Sequence, residues 1–295
     1  MFVDHPGGRF DYLRYFIEMP ALELRDTILR FRRKGSSDVY HHRVAEAVIG
    51  KIVAGSQAPR DPYGGVTSHK QTAWSWQIQT FHELADSEVK LLGIKGLGSV
   101  LEPDADPPSY DIEVTTPDGI HRRYIDAQLT SIIITSEERR IVSVETSYTC
   151  RIARQTFLPM EITQEEVPHR PISGIDCSVE LDDITTDCYA NQVTISRPGH
   201  LPTNYDTHGE ARGFNYAGRW DIEVSLELSD DDLPTEDAVG VKKTKLIYGG
   251  IGSITVPTTY YIKPGQTLVA DDWDSRQLMG RGETAPGKNL AELLF

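Results

Sequence analysis

From Val142 to Ile152 the side chains alternate: Val142, Val144, Tyr148, Cys150 and Ile152 fall in one phase, and Ser143, Glu145, Ser147, Thr149 and Arg151 in the other. Only Thr146 interrupts the apolar phase. A period of two predicts a β-strand with one face in a core and one in water. The polar phase then forms an exposed sheet face, with Glu145, Ser147, Thr149 and Arg151 placed to line a lumen or meet a neighbouring subunit. The same alternation recurs at Tyr110-Ile112-Val114 and at Trp220-Ile222-Val224-Leu226-Leu228. Trp74 to Thr80 also alternates, which puts Trp74 and Trp76 on one face.

Turn residues order these strands. Pro117-Asp118-Gly119 predicts a hairpin between Tyr110–Thr115 and His121–Leu129, and Ser136-Glu137-Glu138-Arg139 a tight turn into the long strand Ile141–Arg154. Cys177–Leu181 and Tyr189–Ile195 read as another hairpin, followed by Trp220–Leu228, Lys243–Ile247 and Ser253–Ile262. Strands following strands without intervening helices predict an antiparallel β-sandwich or barrel.

The two ends differ. Residues 10–55 read as helical: Leu24, Ile28 and Phe31 form one stripe, and Val44, Val48, Ile49, Ile52 and Val53 another. Ser37 or Asp38 supplies an N-cap and Gly55 a stop. The tail from Asp271 reads as extended and ends in Leu290, Leu293, Leu294 and Phe295, an apolar tip with no evident place in its own core. The expected fold is therefore mainly β (β+α). A helical segment (1–60) precedes an antiparallel β domain (61–270), and an extended C-terminal arm (271–295) follows.

Charge adds a direction to this outline. The formal net charge is −14, yet residues 1–60 hold ten Lys/Arg against seven Asp/Glu, leaving 20 against 37 for the rest. Such an acidic surface disfavours a sequence-independent grip on nucleic acid and offers a basic-to-acidic complementarity for head-to-tail association. No apolar run approaches the roughly 20 residues of a membrane helix, so membrane insertion is not expected. The N-terminus lacks the basic-then-apolar pattern of a secretion signal. Three cysteines leave at least one unpaired; Cys177 and Cys188 are candidates for a bridge, with the reduced state favoured.

Candidate chemistry is sparse. His200, Asp206 and His208 offer two imidazoles and a carboxylate to a metal, but their spacing does not place them on one strand face. His82-Glu83 begins like a zinc-protease motif and fails at Asp86, where the second histidine belongs. The acidic groups Asp230-Asp231-Asp232 with Glu236 and Asp237, and Asp182, Asp183 and Asp187, lack the alternating ligands of a calcium loop. Trp74 and Trp76 would suit a sugar-stacking platform. No catalytic residue, metal or cofactor is assigned, and a non-enzymatic role is expected.

The opening Met1-Phe2-Val3-Asp4, the alternating strands joined by long loops, and the run Trp220-Asp221-Ile222-Glu223-Val224-Ser225-Leu226-Glu227-Leu228 resemble structural proteins of bacteriophage tails, in particular tube, baseplate and neck subunits. The resemblance implies a β-sandwich or barrel flanked by a helix, assembled into stacked hexameric rings in the virion. The partners it implies are further copies of the chain and other virion proteins, with DNA as cargo passing an acidic lumen. In that setting Leu290, Leu293, Leu294 and Phe295 would insert into an adjacent subunit.

Overall fold

The computed structural model describes residues 22–57, 71–116, 119–150, 152–164, 169–186, 188–197, 200–205, 211–216, 218–229, 240–262, 275–283 and 289–295. The first strands are β1 (Leu22–Arg33), β2 (Val39–Gln57) and β3 (Gln71–Glu83). A short helix α1 (Leu92–Gly96) and β4 (Val100–Leu101) lead to β5 (Ser109–Thr115), β6 (His121–Glu137) and β7 (Ser143–Cys150). Six of these strands pair in the antiparallel circular order β6-β5-β1-β2-β3-β7, and the β6–β7 pairing closes a barrel. Closure requires strands to coil, and β6 does so through two bulges. Its buried inward positions are Tyr124, Ala127, Leu129, Ile132 and Ile134, so the phase slips once around Asp126 and once at Thr130. Asp126 stands at φ 59°, and Asp26 of β1 at φ 46°. Aspartate tolerates this left-handed region better than most residues.

The helices expected over residues 10–55 are overturned: from Leu22 onward the chain is the hairpin β1–β2, paired from Leu22↔Ile49 to Arg32↔Val39. The slip at Asp26 sets buried Leu24 and Leu29 five residues apart, and the facing strand buries Val44, Ala47 and Ile49. Spacings of three and five imitate a helical stripe although each half of the strand keeps period two. Arg43 spans the kink, its Nε 2.9 Å from Asp26 Oδ1.

Inside the barrel, Thr146 is satisfied by Thr80, their hydroxyl oxygens 2.6 Å apart. α1 presses Ile94 against the barrel core, and Tyr110 donates from its hydroxyl to the Leu92 carbonyl at 2.9 Å. Gly96 is fixed by this approach, because a Cβ there would lie 2.1 Å from the Tyr110 oxygen.

A second sheet grows from the same strand. The remaining strands are β8 (Ile152–Thr156), β9 (Cys177–Leu181), β10 (Ile184–Thr186), β11 (Cys188–Ser196), β12 (His200–Tyr205), β13 (Ala211–Tyr216), β14 (Asp221–Ser229), β15 (Gly240–Tyr248), β16 (Gly252–Ile262), β17 (Ser275–Gly282) and β18 (Ala291–Leu294). Where β5 leaves the edge of β6, β11 takes its place along Ser131–Glu137, and the sheet continues β11-β14-β17-β16-β15-β9-β10. The hairpin expected between Cys177–Leu181 and Tyr189–Ile195 is instead β9–β10. It turns at Asp182-Asp183, both at positive φ (51° and 66°), as a tight two-residue turn demands.

The extended C-terminal arm is likewise replaced by strands. β17 lies between β14 and β16, and β18 pairs with both β16 and β4. Leu290 and Leu293 are buried in the chain's own core, Phe295 stacks on Tyr248 at 6.1 Å, and Leu294 points outward. The tip expected to insert into a neighbour is thus seated at home. Leu293→Ala should destabilise the isolated chain by about 2–5 kcal/mol in urea unfolding. Gly96→Ala should cost roughly 1–3 kcal/mol through overpacking against Tyr110.

Candidate functional site

β2 outgrows the barrel. It pairs with β1 only as far as Ile49, and β3 pairs with β7 only as far as Trp76, while the β2–β3 ladder continues to Gln57↔Gln71. A two-stranded ribbon about 25 Å long therefore leaves the barrel, at the usual rise per residue. β12 and β13 form a second ribbon, a sheet of their own, with β13 lying beside β3. Among the described residues, no strand pairs with the outer edges of Gly50–Gln57 or Gln71–Ser75. Unpaired edges of this kind are templates for another chain.

The polar strand face differs from its expected form. Glu145 is half-buried, and its carboxyl is held above the usual range by burial. Ser147 and Thr149 are only 5% and 6% exposed, and Arg151 lies outside the described residues. β7 is an interior strand: Ser147 sits between Gln79 and Ser131, and Thr149 between Gln77 and Gln128. Short hydroxyl side chains flanked on their own face by longer amides are shielded from water. This stretch is therefore an inner seam and not the exposed surface that the alternation predicted.

Trp76 is also inside, 6% exposed and edge-on to Tyr124 at 5.6 Å, so it offers no sugar platform. Trp74 lies on β3, but its side chain falls outside the described set. His200 opens β12, and Asp206 and His208 lie outside the described residues. Among the described residues no His, Cys, Asp and Glu group has the arrangement of a metal site. Asp182 and Asp183 hold Lys242 and Lys243 at 3.0 and 2.7 Å. Cys177 and Cys188 are free thiols, Cys188 pushed up to about 12 by burial.

Two buried ionic groupings escaped the sequence. On the outer wall, Glu113 has no exposure and accepts from Arg30 (3.3 Å), Arg123 (2.9 Å) and the Met160 N–H (2.9 Å). At the end of the barrel, His42 and His82 lie edge to face, 4.6 Å between ring centres, beside Lys90, Glu83 and His169. His82 donates from Nε2 to the Lys90 carbonyl at 3.2 Å, which leaves Nδ1 as a bare acceptor in the neutral ring. His42 Nε2 likewise meets no hydrogen-bonding partner. Lys90 is buried, donates to the Arg43 carbonyl, and lies 3.2 Å from Glu83 Oε1, which also accepts from His169 Nε2 at 2.8 Å.

Burial, reinforced by His82 and Lys90, holds the His42 imidazole well below its usual value. Burial and then Lys90 bring His82 down to about 4. For Glu83, burial alone would raise the carboxyl, but hydrogen bonds from His169 and its own backbone, with Lys90 nearby, bring it to about 2. His82-Glu83, adjacent on β3, point to opposite ends of one network: the imidazole inward, the carboxylate toward the surface.

An open trough of about 420 Å³ crosses the junction of β6, β11 and β14, floored by Thr135, Gln192 and Ser225 and rimmed by Glu137, Arg140 and Glu227. Arg140 pairs with Glu137, three residues before it in the same turn, at 3.0 Å.

The fold places the chain among mainly β proteins built on a closed six-stranded barrel with an attached open sheet. Comparison of the sequence with protein-family models and with curated proteins finds no match.

His82 is neutral and buried in the folded state but takes up a proton near 6.5 when unfolded. Its contribution to stability is complete above pH 6.5 and is lost as the pH falls toward about 4, a change of roughly 3 kcal/mol. Glu83, depressed in the fold, adds a second loss between about 4.5 and 2. Urea midpoints measured from pH 7 to 4 should fall in the native chain and fall less in His82→Gln. Glu113→Gln should cost about 3 kcal/mol at pH 7, because it weakens a fully buried acceptor of three donors.

Proposed function

We propose that the protein is a non-enzymatic structural subunit of a large symmetric assembly, most plausibly a ring-forming component of a phage tail through which DNA passes. The observation that carries this reading is the β2–β3 ribbon. An isolated two-stranded hairpin is marginal in water, and a barrel that is already closed without it gains nothing from its length. A ribbon with open edges acquires stability when a neighbour adds strands to it. The β12–β13 ribbon lies on the same side, against β3, so both projections face one region of a neighbour.

Charge supports the same reading. Residues 1–156, which supply the barrel, hold 19 Lys/Arg against 21 Asp/Glu; residues 157–295 hold 11 against 23. A near-neutral barrel against a strongly acidic second sheet favours a heterologous, head-to-tail contact, which closes rings when its rotation closes. An acidic surface turned to the lumen would repel the phosphate backbone and let DNA slide. The partners are then copies of this chain and other virion proteins, in a hexameric ring if the resemblance to tail subunits extends to symmetry. Leu290, Leu293 and Phe295 serve the chain's own sheet and are not proposed as contact residues.

The register offers a clean test. Val53 faces Trp74, so residues 54–73 can be replaced by an Asn-Gly turn that closes the hairpin at the barrel rim. Purified full-length protein should form rings or stacked rings in negative-stain images. The shortened chain should stay monomeric, with a thermal midpoint within a few degrees of the parent. Rings of normal diameter from the shortened chain would refute the ribbon as the assembling element.

A further inference from the structure

The barrel end that holds His42 and His82 is closed from outside by residues 169–173. His169 reaches Glu83; the Ile172 N–H donates to the Leu84 carbonyl (3.0 Å), and the Val142 N–H donates to the Ile172 carbonyl (3.0 Å). Bridges Ala85↔Pro171 and Ile141↔Ser173 complete the contact. The segment then runs directly into the 3-10 turn Gly174–Asp176 and β9, the start of the chain's second set of strands. It is therefore the tie between the end of the barrel and the far side of the second sheet.

Underneath, the charges are unbalanced. His42 comes from β2, His82 and Glu83 from β3, Lys90 from the connection to α1, and His169 from the closing segment; Phe31 of β1 lies against His42 as an uncharged wall. Among the described residues, this chamber contains one carboxylate for one ammonium and three imidazoles. At neutral pH the Glu83–Lys90 pair balances it, and the two inner rings are uncharged. Each proton added to an inner ring creates a buried cation with no further carboxylate to meet it among the described residues, where the new N–H on His82 Nδ1 or His42 Nε2 also has no acceptor. Water can relieve this only by entering past Glu83 and His169, the two members with exposed surface (30% and 14%).

We propose that His42, His82, Lys90, Glu83 and His169 form an acid-released clasp, in which protonation of the inner histidine pair detaches residues 169–173 from the barrel end while both β-layers stay folded. Release lengthens the tether between barrel and second sheet by freeing the β-bridges at Ala85 and Ile141. The clasp works within one chain and does not rest on the assembly described above. It makes the closed state a property of neutral pH and gives mild acid a local effect instead of global unfolding.

Hydrogen exchange on the full chain, corrected for the intrinsic pH dependence of amide exchange, reads the clasp directly. Between pH 6.5 and 4 the opening constants at the Ile172 and Val142 amides should rise on the order of a hundredfold, from the differential proton uptake of a single buried histidine. The Val193 and Leu226 amides of the second sheet should keep theirs. The double variant H42F/H82Q, which cannot charge the chamber interior, should lose most of the rise. Should that variant not fold, imidazole titration of the native chain decides: protonation of His42 and His82 must coincide in pH with loss of Ile172 protection. Opening constants that stay flat, opening that occurs only together with Val193 and Leu226, or imidazoles that titrate without loss of Ile172 protection would each overturn the proposal.

Discussion

Strand β6 is the constraint on which the rest of the structure depends. Its 17 residues pair with β5 and β8 in the first half and with β7 and β11 in the second, so one backbone serves both the closed barrel and the open sheet. Such sharing is possible only because β6 bends twice. At Asp126 and Thr130 the inward phase slips, and the strand turns from the barrel wall toward the second sheet without losing its ladder. The Asp126 carboxylate secures the first bend by accepting from Lys34 and from the Ser109 hydroxyl. A barrel lacking these bends would need longer loops or open edges, and the second sheet would have no edge of β6 on which to start.

Closure also decides where polar groups are buried. The barrel interior is apolar over most of its length, yet its end must be stopped, and an apolar and a polar group share that task. α1 plugs one region with Ile94, held by Tyr110 against the backbone at Leu92 and given room by Gly96. Beside α1, the same end carries His42, His82 and Lys90, groups that cost stability when buried unless paired. Their network reaches the surface through Glu83 and His169, so the polar stopper is coupled to the segment that closes over it. An apolar plug would give greater stability; the polar one makes stability depend on pH.

Much of this was legible in the sequence wherever period two is unbroken. The strands at Tyr110–Val114, Val142–Cys150, Trp220–Leu228 and Ser253–Ile262 stand where alternation put them, and strands succeeding strands pointed to an antiparallel sandwich or barrel, of which the barrel is found. The pattern misled where the buried phase slips. Leu24 and Leu29, or Val44 and Ala47, look helical because Asp26 resets the phase between them, and a single positive φ leaves no mark in composition. The C-terminal Leu290–Phe295 read as an arm because the strand it needs, β16, begins 38 residues earlier in the chain. The polar phase of β7 read as exposed because alternation reports which face a residue takes and not what covers that face. His82-Glu83 drew notice only as a failed zinc motif. Its partners His42, Lys90 and His169 are joined to it by tertiary pairing alone, which no local spacing encodes.

Among the described residues, barrel, bends and ribbon together describe a closed barrel with one ribbon whose outer edges are unpaired. The ribbon adds nothing to closure, and under the proposed function its open edges are where a neighbour pairs. Hydrogen exchange resolved by segment, compared between dilute monomer and assembled protein, tests this most directly. The account predicts that residues 50–57 and 71–75 exchange rapidly in the monomer and become protected on assembly, while residues 131–136 of β6 are protected equally in both. Ribbon amides that exchange at the same rate before and after assembly would contradict it.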